Sequence, residues 1–449
     1  MRKEMIGLAF DWLKNHKKKL GFLALILTFI QFADGILPQL QILLLHGRMI
    51  LPTPLGRIPL LLLLLLTFLA YGAELPRMLL LPYILFASYL TLDWFYLLIF
   101  KGYYAHPIYG LATFNNYYSF FLFLPFAFSL AGTISTHTLY KTIGLVSIPI
   151  ILLGIAQYLL NTPIIPIESI DKHFSEQSIF FYSHHIRAFS LFSSGLLFGT
   201  FCNLILAIAT ASLLRSHGRE RVFSALLALL AFSGSAASLT RSNLVQAFLV
   251  LVSVGVLRYA SIRRPSKTIF LPFGILVLSL ALMLMTPLIH NMTTKSGNIS
   301  PSSNVGLSDY TSNTSLLIRY DHWKNLVLKY IKTPNDVFLG SGLVQSYHSP
   351  FSTDQFIDNS YLATILNTGT IGLSLLMIIL TSIWLYFYKR AQRSGDGFSA
   401  GMAAFTATWP FYGLINNAWY VYGIVALIGI LTVSDNDRSL PSKNGIEMG

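Results

Sequence analysis

Residues 190–214 read SLFSSGLLFGTFCNLILAIATASLL and contain no charged side chain. An apolar run of about 20 residues is long enough to cross the hydrocarbon core of a bilayer as a helix. The run is continuous rather than alternating, which favours a helix over a strand of a membrane barrel. This stretch therefore predicts one membrane-spanning helix.

The rest of the chain repeats that pattern. Of its 449 residues, 54% are hydrophobic and 11% are charged, and the mean hydropathy is +0.61. A soluble domain carries about 25% charged residues, so too few charges remain here to cover a water-facing surface. We identify twelve apolar segments, at 20–45, 58–73, 78–99, 114–133, 139–160, 190–214, 222–239, 242–258, 268–288, 360–388, 399–415 and 419–433. The expected fold is all-α, a polytopic bundle of about 12 transmembrane helices that forms a single integral membrane domain over 1–449.

The net charge of +13 could suggest nucleic acid, but the Lys and Arg lie at the ends of apolar segments rather than on a soluble module. We therefore expect membrane lipid, and no nucleic acid, as a partner. With the N-terminus inside, 20 of the 31 Lys and Arg fall on the cytoplasmic side, which predicts that both termini are cytoplasmic. We find no cleavable signal peptide, and the lone Cys202 excludes an intrachain disulfide and a cysteine-based metal site.

Three segments depart from this simple pattern. The first apolar segment contains Asp34, Gly35 and Pro38, so we expect it to be kinked or split. Two outer loops are long, at 161–187 and 289–358, and loops of that length are often functional. Apolar residues at helical spacing predict an amphipathic helix on the outer surface within the larger loop, namely Leu316, Leu317, Tyr320, Trp323, Val327, Tyr330 and Ile331.

Several charged residues fall on the outer side in this topology. They are Arg187, Arg241, Arg319 and the pair Asp358-Asn359, and ionisable groups at such positions are usually paired and often functional. Simpler interpretations stay open: a snorkelling helix end for Arg241, an interfacial anchor for Arg187, a solvated charge for Arg319 and a helix N-cap for Asp358-Asn359. The outer histidines are interpreted as surface residues rather than metal ligands.

These residues together suit a doubly anionic lipid pyrophosphate. The planar guanidinium of Arg matches phosphate oxygens, and a nearby carboxylate could take a proton from an attacking sugar hydroxyl. Arginines would also stabilise the charge that develops on the departing pyrophosphate. The arrangement requires no metal and no cofactor.

Four stretches at these residues resemble the O-antigen polymerase and ligase superfamily of bacterial inner membranes. They are Arg187-Ala188-Phe189-Ser190 leading to Gly195; Leu239-Thr240-Arg241-Ser242; Arg319 with Trp323, then Gly340-Ser341-Gly342; and Asp358-Asn359-Ser360-Tyr361-Leu362, then Gly369-Thr370-Ile371-Gly372-Leu373. The resemblance covers about residues 187–390. It lies in the order and spacing of the stretches and in the large loop before the last.

The resemblance implies a GT-C-like membrane glycosyltransferase that acts on undecaprenyl-pyrophosphate-linked glycans, as donor and acceptor, at the periplasmic face of the inner membrane. The loop 289–358 would then be periplasmic, and a chain-length regulator protein is a further candidate partner. The predicted catalytic residues are Asp358, Arg241 and Arg187. The predicted substrate-binding residues are Arg319, Asn359, Trp323, Tyr361 and His185.

Three functions remain open from the sequence. Ligases of this superfamily typically carry His-Asn where this chain has Asp358-Asn359, so a polymerase is favoured over a ligase that transfers the glycan to lipid A-core. A transporter or flippase of the lipid-linked sugar is the alternative from another class. It is disfavoured because no internal repeat is found and the polar residues gather at one face.

Overall fold

The computed structural model describes residues 12, 15–36, 39, 41, 44, 57–73, 75–100, 118–163, 181–182, 185–263, 271–278, 323–340, 359–415 and 419–432. Within these ranges the chain is almost entirely helical. The one sheet among the described residues is a pair of antiparallel strands, in which Phe181 pairs with Ile186 and Tyr182 pairs with His185.

The described elements follow one another along the chain. The first are α1 (Lys17–Phe32), α2 (Ile58–Tyr71), α3 (Arg77–Phe100), the short α4 (Ser119–Leu122) and α5 (Leu124–Ala127), a 3-10 turn (Phe128–Leu130) and α6 (Thr136–Leu160). The strands β1 (Phe181–Tyr182) and β2 (His185–Ile186) come next. Then follow α7 (Gly195–Leu213), α8 (Gly218–Ala237), α9 (Arg241–Arg263), α10 (271–278), α11 (323–330), α12 (Pro334–Leu339), α13 (Ser360–Ser394), α14 (Gly397–Thr406), α15 (Trp409–Ile415) and α16 (Tyr420–Ile430).

Six of the described helices are long and apolar enough to cross a membrane: α3, α6, α7, α8, α9 and α13. Two shorter apolar helices, α2 and α16, accompany them. Large apolar side chains such as Leu152, Leu229 and Phe248 point outward from the bundle, as expected where the surroundings are lipid rather than water. The prediction of an all-α fold that contains helices of membrane-spanning length is confirmed for six helices.

Helix α7 lies at the centre of the bundle and packs against α8, α9 and α14. Its most apolar window is 83% buried, whereas the corresponding windows of α3 and α8 are 22% and 33% buried. The apolar run 190–214 is therefore shielded from lipid by other helices. Because a buried polar group must find its hydrogen bonds inside the protein, the polar residues of α7 are tied to its neighbours.

Contacts between helix ends define one end of the bundle, called here the Arg390 end. The Arg390 guanidinium, at the close of α13, donates to the carbonyl oxygens of Gly429 and Thr432 at the close of α16. Lys17 lies over the ring of Tyr71, with its Nζ 5.2 Å from the ring centroid, so α1 begins where α2 ends.

The opposite end is called the Arg241 end, after the first residue of α9. Here α6 ends at Asn161, whose Oδ1 accepts a hydrogen bond of 2.7 Å from the backbone N–H of Ile186 in β2. Because α8 ends and α9 begins here as well, the tight turn between them belongs to the same end.

The first predicted segment is broken, as its sequence indicates. α1 ends at Phe32, and helical hydrogen bonding resumes only where the N–H of Gln39 donates to the carbonyl of Gly35. An ideal Cβ on Gly35 would lie 2.4 Å from the backbone carbon of Phe192, so only a glycine allows this close approach.

Two other segments were predicted as continuous helices, and the structure corrects both. The described part of 114–133 consists of α4, α5 and the 3-10 turn, with Pro125 in the first turn of α5. The segment 399–415 is divided into α14 and α15, because Pro410 has no N–H to donate to the carbonyl of Thr406.

Helix α13 is longer than predicted and contains a break at Gly369, where φ is 67°. Helix α12 packs into this break. A Cβ on Gly369 would lie 2.0 Å from the carbonyl oxygen of Phe338, so a larger residue would displace the loop helix.

The amphipathic helix of the larger loop corresponds in part to α11, and the positions before Trp323 lie outside the described residues. Leu326 of α11 is buried in a small cluster with Ala363 and Leu366 of α13, to which Tyr330 and Ile331 also contribute. The apolar face of α11 therefore packs on the first turns of α13.

Candidate functional site

Arg187 follows β2 directly and begins an irregular segment, 187–194, that leads into α7. The N–H of Ala188 donates to the carbonyl of Ala237, the last residue of α8. A Cβ on Gly195 would lie 3.1 Å from the Cβ of Arg187 and 3.2 Å from the carbonyl oxygen of Ser238. Arg187 is thus held beside the α8–α9 turn, and its side chain is partly exposed.

Arg241 lies at the end of that turn, as the first residue of α9, and is exposed. The turn is tight enough that Leu239 adopts a left-handed backbone with φ of 48°. Non-glycine residues in this region are strained and often occur at functional sites.

Asn243 fixes the turn against the start of α7. Its Nδ2 donates to the carbonyl oxygens of Gly195 and Leu196 and to the hydroxyl of Ser238. The two predicted arginines therefore flank one hydrogen-bonded frame at one end of the bundle, although their positions are more than 50 residues apart in the chain.

Asn359 is the N-cap of α13. It is buried, and its Oδ1 accepts a hydrogen bond of 3.0 Å from the N–H of Leu362. The capping interpretation is therefore confirmed for Asn359.

Tyr361 is the second residue of α13 and is directed into the bundle. Its hydroxyl donates to the carbonyl of Pro410 over 3.0 Å, and its ring meets that of Trp419 edge to face. These contacts give Tyr361 a packing role between α13 and α15.

The structure shows less about the other predicted site residues. His185 is exposed in β2, with its ring 6.2 Å from that of Tyr158. Trp323 is partly buried at the start of α11. Asp358 and Arg319 lie outside the described residues.

Asp34 is a further candidate, which the sequence analysis used only as a sign of a broken helix. Its Oδ1 accepts a hydrogen bond of 2.9 Å from the Ser193 N–H, and its Oδ2 accepts one of 2.6 Å from the Ser193 hydroxyl. Ser193 belongs to the segment that begins at Arg187. A carboxylate inside an apolar segment is energetically costly and is often functional. Its position in the sequence could therefore have identified Asp34 as a candidate site residue.

Arg57 lies at the start of α2 at the same end of the bundle. Its guanidinium carbon is 5.1 Å from the ring centroid of Phe120 and 5.5 Å from that of Tyr420. Asp34 and Arg57 attract each other electrostatically, and both are partly exposed. They add a carboxylate and a third guanidinium to the Arg241 end.

Below these charges, a buried network of polar side chains joins α7, α9 and α15. Thr200 donates to the Tyr412 hydroxyl over 3.2 Å and to Asn243 Oδ1 over 3.4 Å. Asn203 donates to Gln246 Oε1 over 3.0 Å, and Gln246 donates to the Thr408 hydroxyl. Asp34 lies close enough to Tyr412 to interact with it electrostatically.

No group of three or more His, Cys, Asp or Glu that could hold a metal ion occurs among the described residues. No known family model matches the chain, and no curated protein shows significant similarity to it.

Proposed function

We propose that this protein is a membrane glycosyltransferase that polymerises undecaprenyl-pyrophosphate-linked oligosaccharide repeat units, such as those of O-antigen or a related surface polysaccharide. The site faces the periplasm of a bacterial inner membrane. The proposal includes twelve membrane-spanning helices, both termini in the cytoplasm and a periplasmic loop over 289–358.

The observation that carries the proposal is the common frame of Arg187 and Arg241. Two guanidinium groups at one end of an apolar bundle suit a pyrophosphate whose lipid tail lies in the membrane. The frame contains hydrogen bonds from Ala188 and Asn243, so each arginine has a fixed backbone position. Preorganised donors of this kind stabilise charge without a reorganisation cost during the reaction.

In the proposed reaction, a hydroxyl oxygen of the acceptor glycan attacks the anomeric carbon of the donor glycan. The bond between that carbon and the pyrophosphate oxygen breaks, and its electron pair leaves with undecaprenyl pyrophosphate. Arg187 and Arg241 bind the leaving group, and Asp358 takes the proton from the attacking hydroxyl. Arg319, Trp323 and His185 are assigned to substrate binding around this centre. Asn359 and Tyr361, predicted for the same role, support it from within the protein, through the helix cap and the packing contact with Pro410 and Trp419.

The decisive experiment is chain extension in vitro by the purified protein with its lipid-linked repeat unit. A polymerase lengthens the lipid-linked glycan without another acceptor, whereas a ligase requires lipid A-core. If neither product forms and the lipid-linked sugar instead crosses the bilayer of proteoliposomes, the transporter hypothesis replaces the proposal.

The orientation of the protein in the membrane can be tested separately. Reporter fusions at residue 320 should report the periplasm, because the larger loop is assigned to that side. A cytoplasmic signal from residue 320 would reverse the proposed topology and remove the periplasmic site.

A further inference from the structure

Asp34 is unusual among the described carboxylates because it joins two breaks in regular structure. It lies between the end of α1 and the helical turn that starts at Gly35, and it binds Ser193 in the irregular segment before α7. Gln39 supports the same contact, since its side-chain amide donates to the carbonyl of Ser190 over 3.3 Å. Non-helical backbone at membrane depth is tolerated where it is buried in protein or lines a water-filled cavity.

Asp34 lies at the same depth in the bundle as the hydrogen-bonded frame that Arg187 and Arg241 flank. From Lys17, at the Arg390 end, α1 rises about 24 Å before Asp34. Helix α9 rises about 25 Å between Arg258, near the Arg390 end, and Arg241. Asp34 therefore lies near the outer boundary of a hydrocarbon core about 30 Å thick, at the depth of Arg241.

The bonds that Asp34 makes leave it capacity for a ligand. An ionised carboxylate offers about four lone-pair positions, and Ser193 occupies one on each oxygen. The Asp34 backbone N–H also interacts with the carboxylate. The side chain is partly exposed, so a further donor can reach it.

A purely structural function would not require the charge. An asparagine could accept the Ser193 N–H through its side-chain oxygen and would avoid the cost of placing a carboxylate in an apolar bundle. The charge is useful for a ligand rich in hydroxyl donors, because hydrogen bonds to a charged acceptor are about twice as strong as neutral ones.

We propose that Asp34 is a substrate-binding residue whose carboxylate accepts hydrogen bonds from the hydroxyl groups of a carbohydrate held at the Arg241 end. This inference rests on the proposed function and deepens it. The arginines bind the pyrophosphate and Asp34 binds the glycan, so different residues recognise the two parts of the substrate.

Binding measurements on the full chain in lipid nanodiscs test this division. One probe is the lipid-linked oligosaccharide extracted from the source cells, and the other is farnesyl pyrophosphate, which carries the pyrophosphate and no sugar. Asp34→Asn should lower affinity for the lipid-linked oligosaccharide about 10- to 100-fold, the effect of losing hydrogen bonds to a charged group. Its affinity for farnesyl pyrophosphate should stay within about twofold.

Asp396→Asn is the matched control. Asp396 lies at the Arg390 end and also accepts the N–H and the hydroxyl of a serine, Ser399, together with the hydroxyl of Ser394. Affinity for both probes should be unchanged in this variant, because no part of the substrate is expected at that end.

Ser193→Ala separates binding from positioning, and serves if Asp34→Asn folds poorly. It keeps the carboxylate and its charge, so affinity for the lipid-linked oligosaccharide should fall no more than about threefold. If Asp34 only ties down the segment behind Arg187, Asp34→Asn and Ser193→Ala will weaken both probes alike. That result overturns the inference, as does unchanged oligosaccharide affinity in Asp34→Asn.

The proposed function can fail separately. If the wild-type protein binds the lipid-linked oligosaccharide without extending it, polymerisation is excluded, and a selective loss in Asp34→Asn still supports the carbohydrate site. Failure of the wild-type protein to bind the lipid-linked oligosaccharide overturns both.

Discussion

Two Asp-Gly pairs, Asp34-Gly35 and Asp396-Gly397, occupy opposite ends of the bundle with nearly the same local chemistry. Each carboxylate accepts both the N–H and the hydroxyl of one serine, and Asp396 also accepts the hydroxyl of Ser394. Each glycine packs closely against a neighbouring backbone. A Cβ on either glycine would lie 2.4 Å from a backbone carbon. Each aspartate also attracts an arginine, Arg57 in one case and Arg215 in the other.

The partners differ in where they lie along the chain. Asp396 bonds to Ser399, three residues later, and caps the first turn of α14. Asp34 bonds to Ser193, 159 residues away, and among the described residues its side chain caps no helix that follows it. The same carboxylate–serine contact is therefore local helix capping at the Arg390 end and a tertiary junction between two broken segments at the Arg241 end.

This difference indicates which charges serve the fold and which are available to a substrate. A capping carboxylate completes the hydrogen bonds of its own helix, and asparagine does so equally well. A carboxylate at a tertiary junction near Arg57, at the same end of the bundle as Arg187 and Arg241, lies where a ligand with charges and hydroxyls would bind. Substitutions at the two ends should therefore differ in their effect on activity.

The largest difference is expected at Asp358, which immediately precedes the N-cap of α13. Asp358→Asn should lower polymer formation about 100- to 10,000-fold, the usual contribution of a general base. Because Asn359 is the N-cap, this loss could not be explained by a missing cap. Near-normal polymer at matched protein level, measured by gel analysis of the glycan, would exclude Asp358 as the base.

Arg241 and Arg258 provide the next comparison, because both are exposed residues of α9 near opposite ends of the bundle. Arg241→Ala should lower the rate of chain extension about 100- to 1,000-fold, as for loss of one donor to developing charge. Arg187→Ala should behave like Arg241→Ala, and lysine at either position should rescue poorly because it lacks the planar fork.

Arg258→Ala should leave the rate of extension unchanged, because it removes an equivalent exposed charge near the Arg390 end. Equal losses in Arg241→Ala and Arg258→Ala would mean that the arginines act through folding or membrane anchoring. The measurement is the initial rate of extension per folded protein in nanodiscs.

The two glycines should separate stability from activity. Gly35→Ala and Gly397→Ala each force a Cβ into neighbouring backbone, so each should lower the free energy of unfolding by about 1–3 kcal/mol. Only Gly35→Ala should also lower activity per folded molecule, since the backbone it displaces, Leu191 and Phe192, leads from Arg187 to α7. Unfolding in mixed micelles and extension rates on the folded fraction would measure both effects.

The smallest effect is expected for Asp396→Asn. Asparagine caps as well as aspartate, so the free energy of unfolding should change by less than about 0.5 kcal/mol, with activity unchanged. A fall in activity without a fall in stability would show that the Arg390 end also takes part in function, and the contrast between the two Asp-Gly pairs would fail.

The sequence alone determined the class of fold, because membrane helices are specified by composition over about 20 consecutive residues. That rule found α3, α6, α7, α8, α9 and α13, and the Asp34-Gly35-Pro38 pattern correctly predicted a break in the first segment. It failed at 114–133 and 399–415, where apolar composition continues through short helices and a break before Pro410. Hydropathy measures the affinity of a segment for lipid. It carries little information on where the backbone hydrogen bonds change partner and one helix gives way to the next.

Sequence also picked out Arg187 and Arg241, since charges at the ends of apolar runs are visible without a structure. Only the tertiary structure decided that the two share one frame through Gly195 and Ser238, and that Asp34 meets Ser193. Contacts between residues 159 positions apart depend on how helices pack, and packing is set by the fit of many side chains together. No local pattern around Asp34 encodes that fit, so the same Asp-Gly dipeptide is a helix cap at one end of this bundle and part of a candidate binding site at the other.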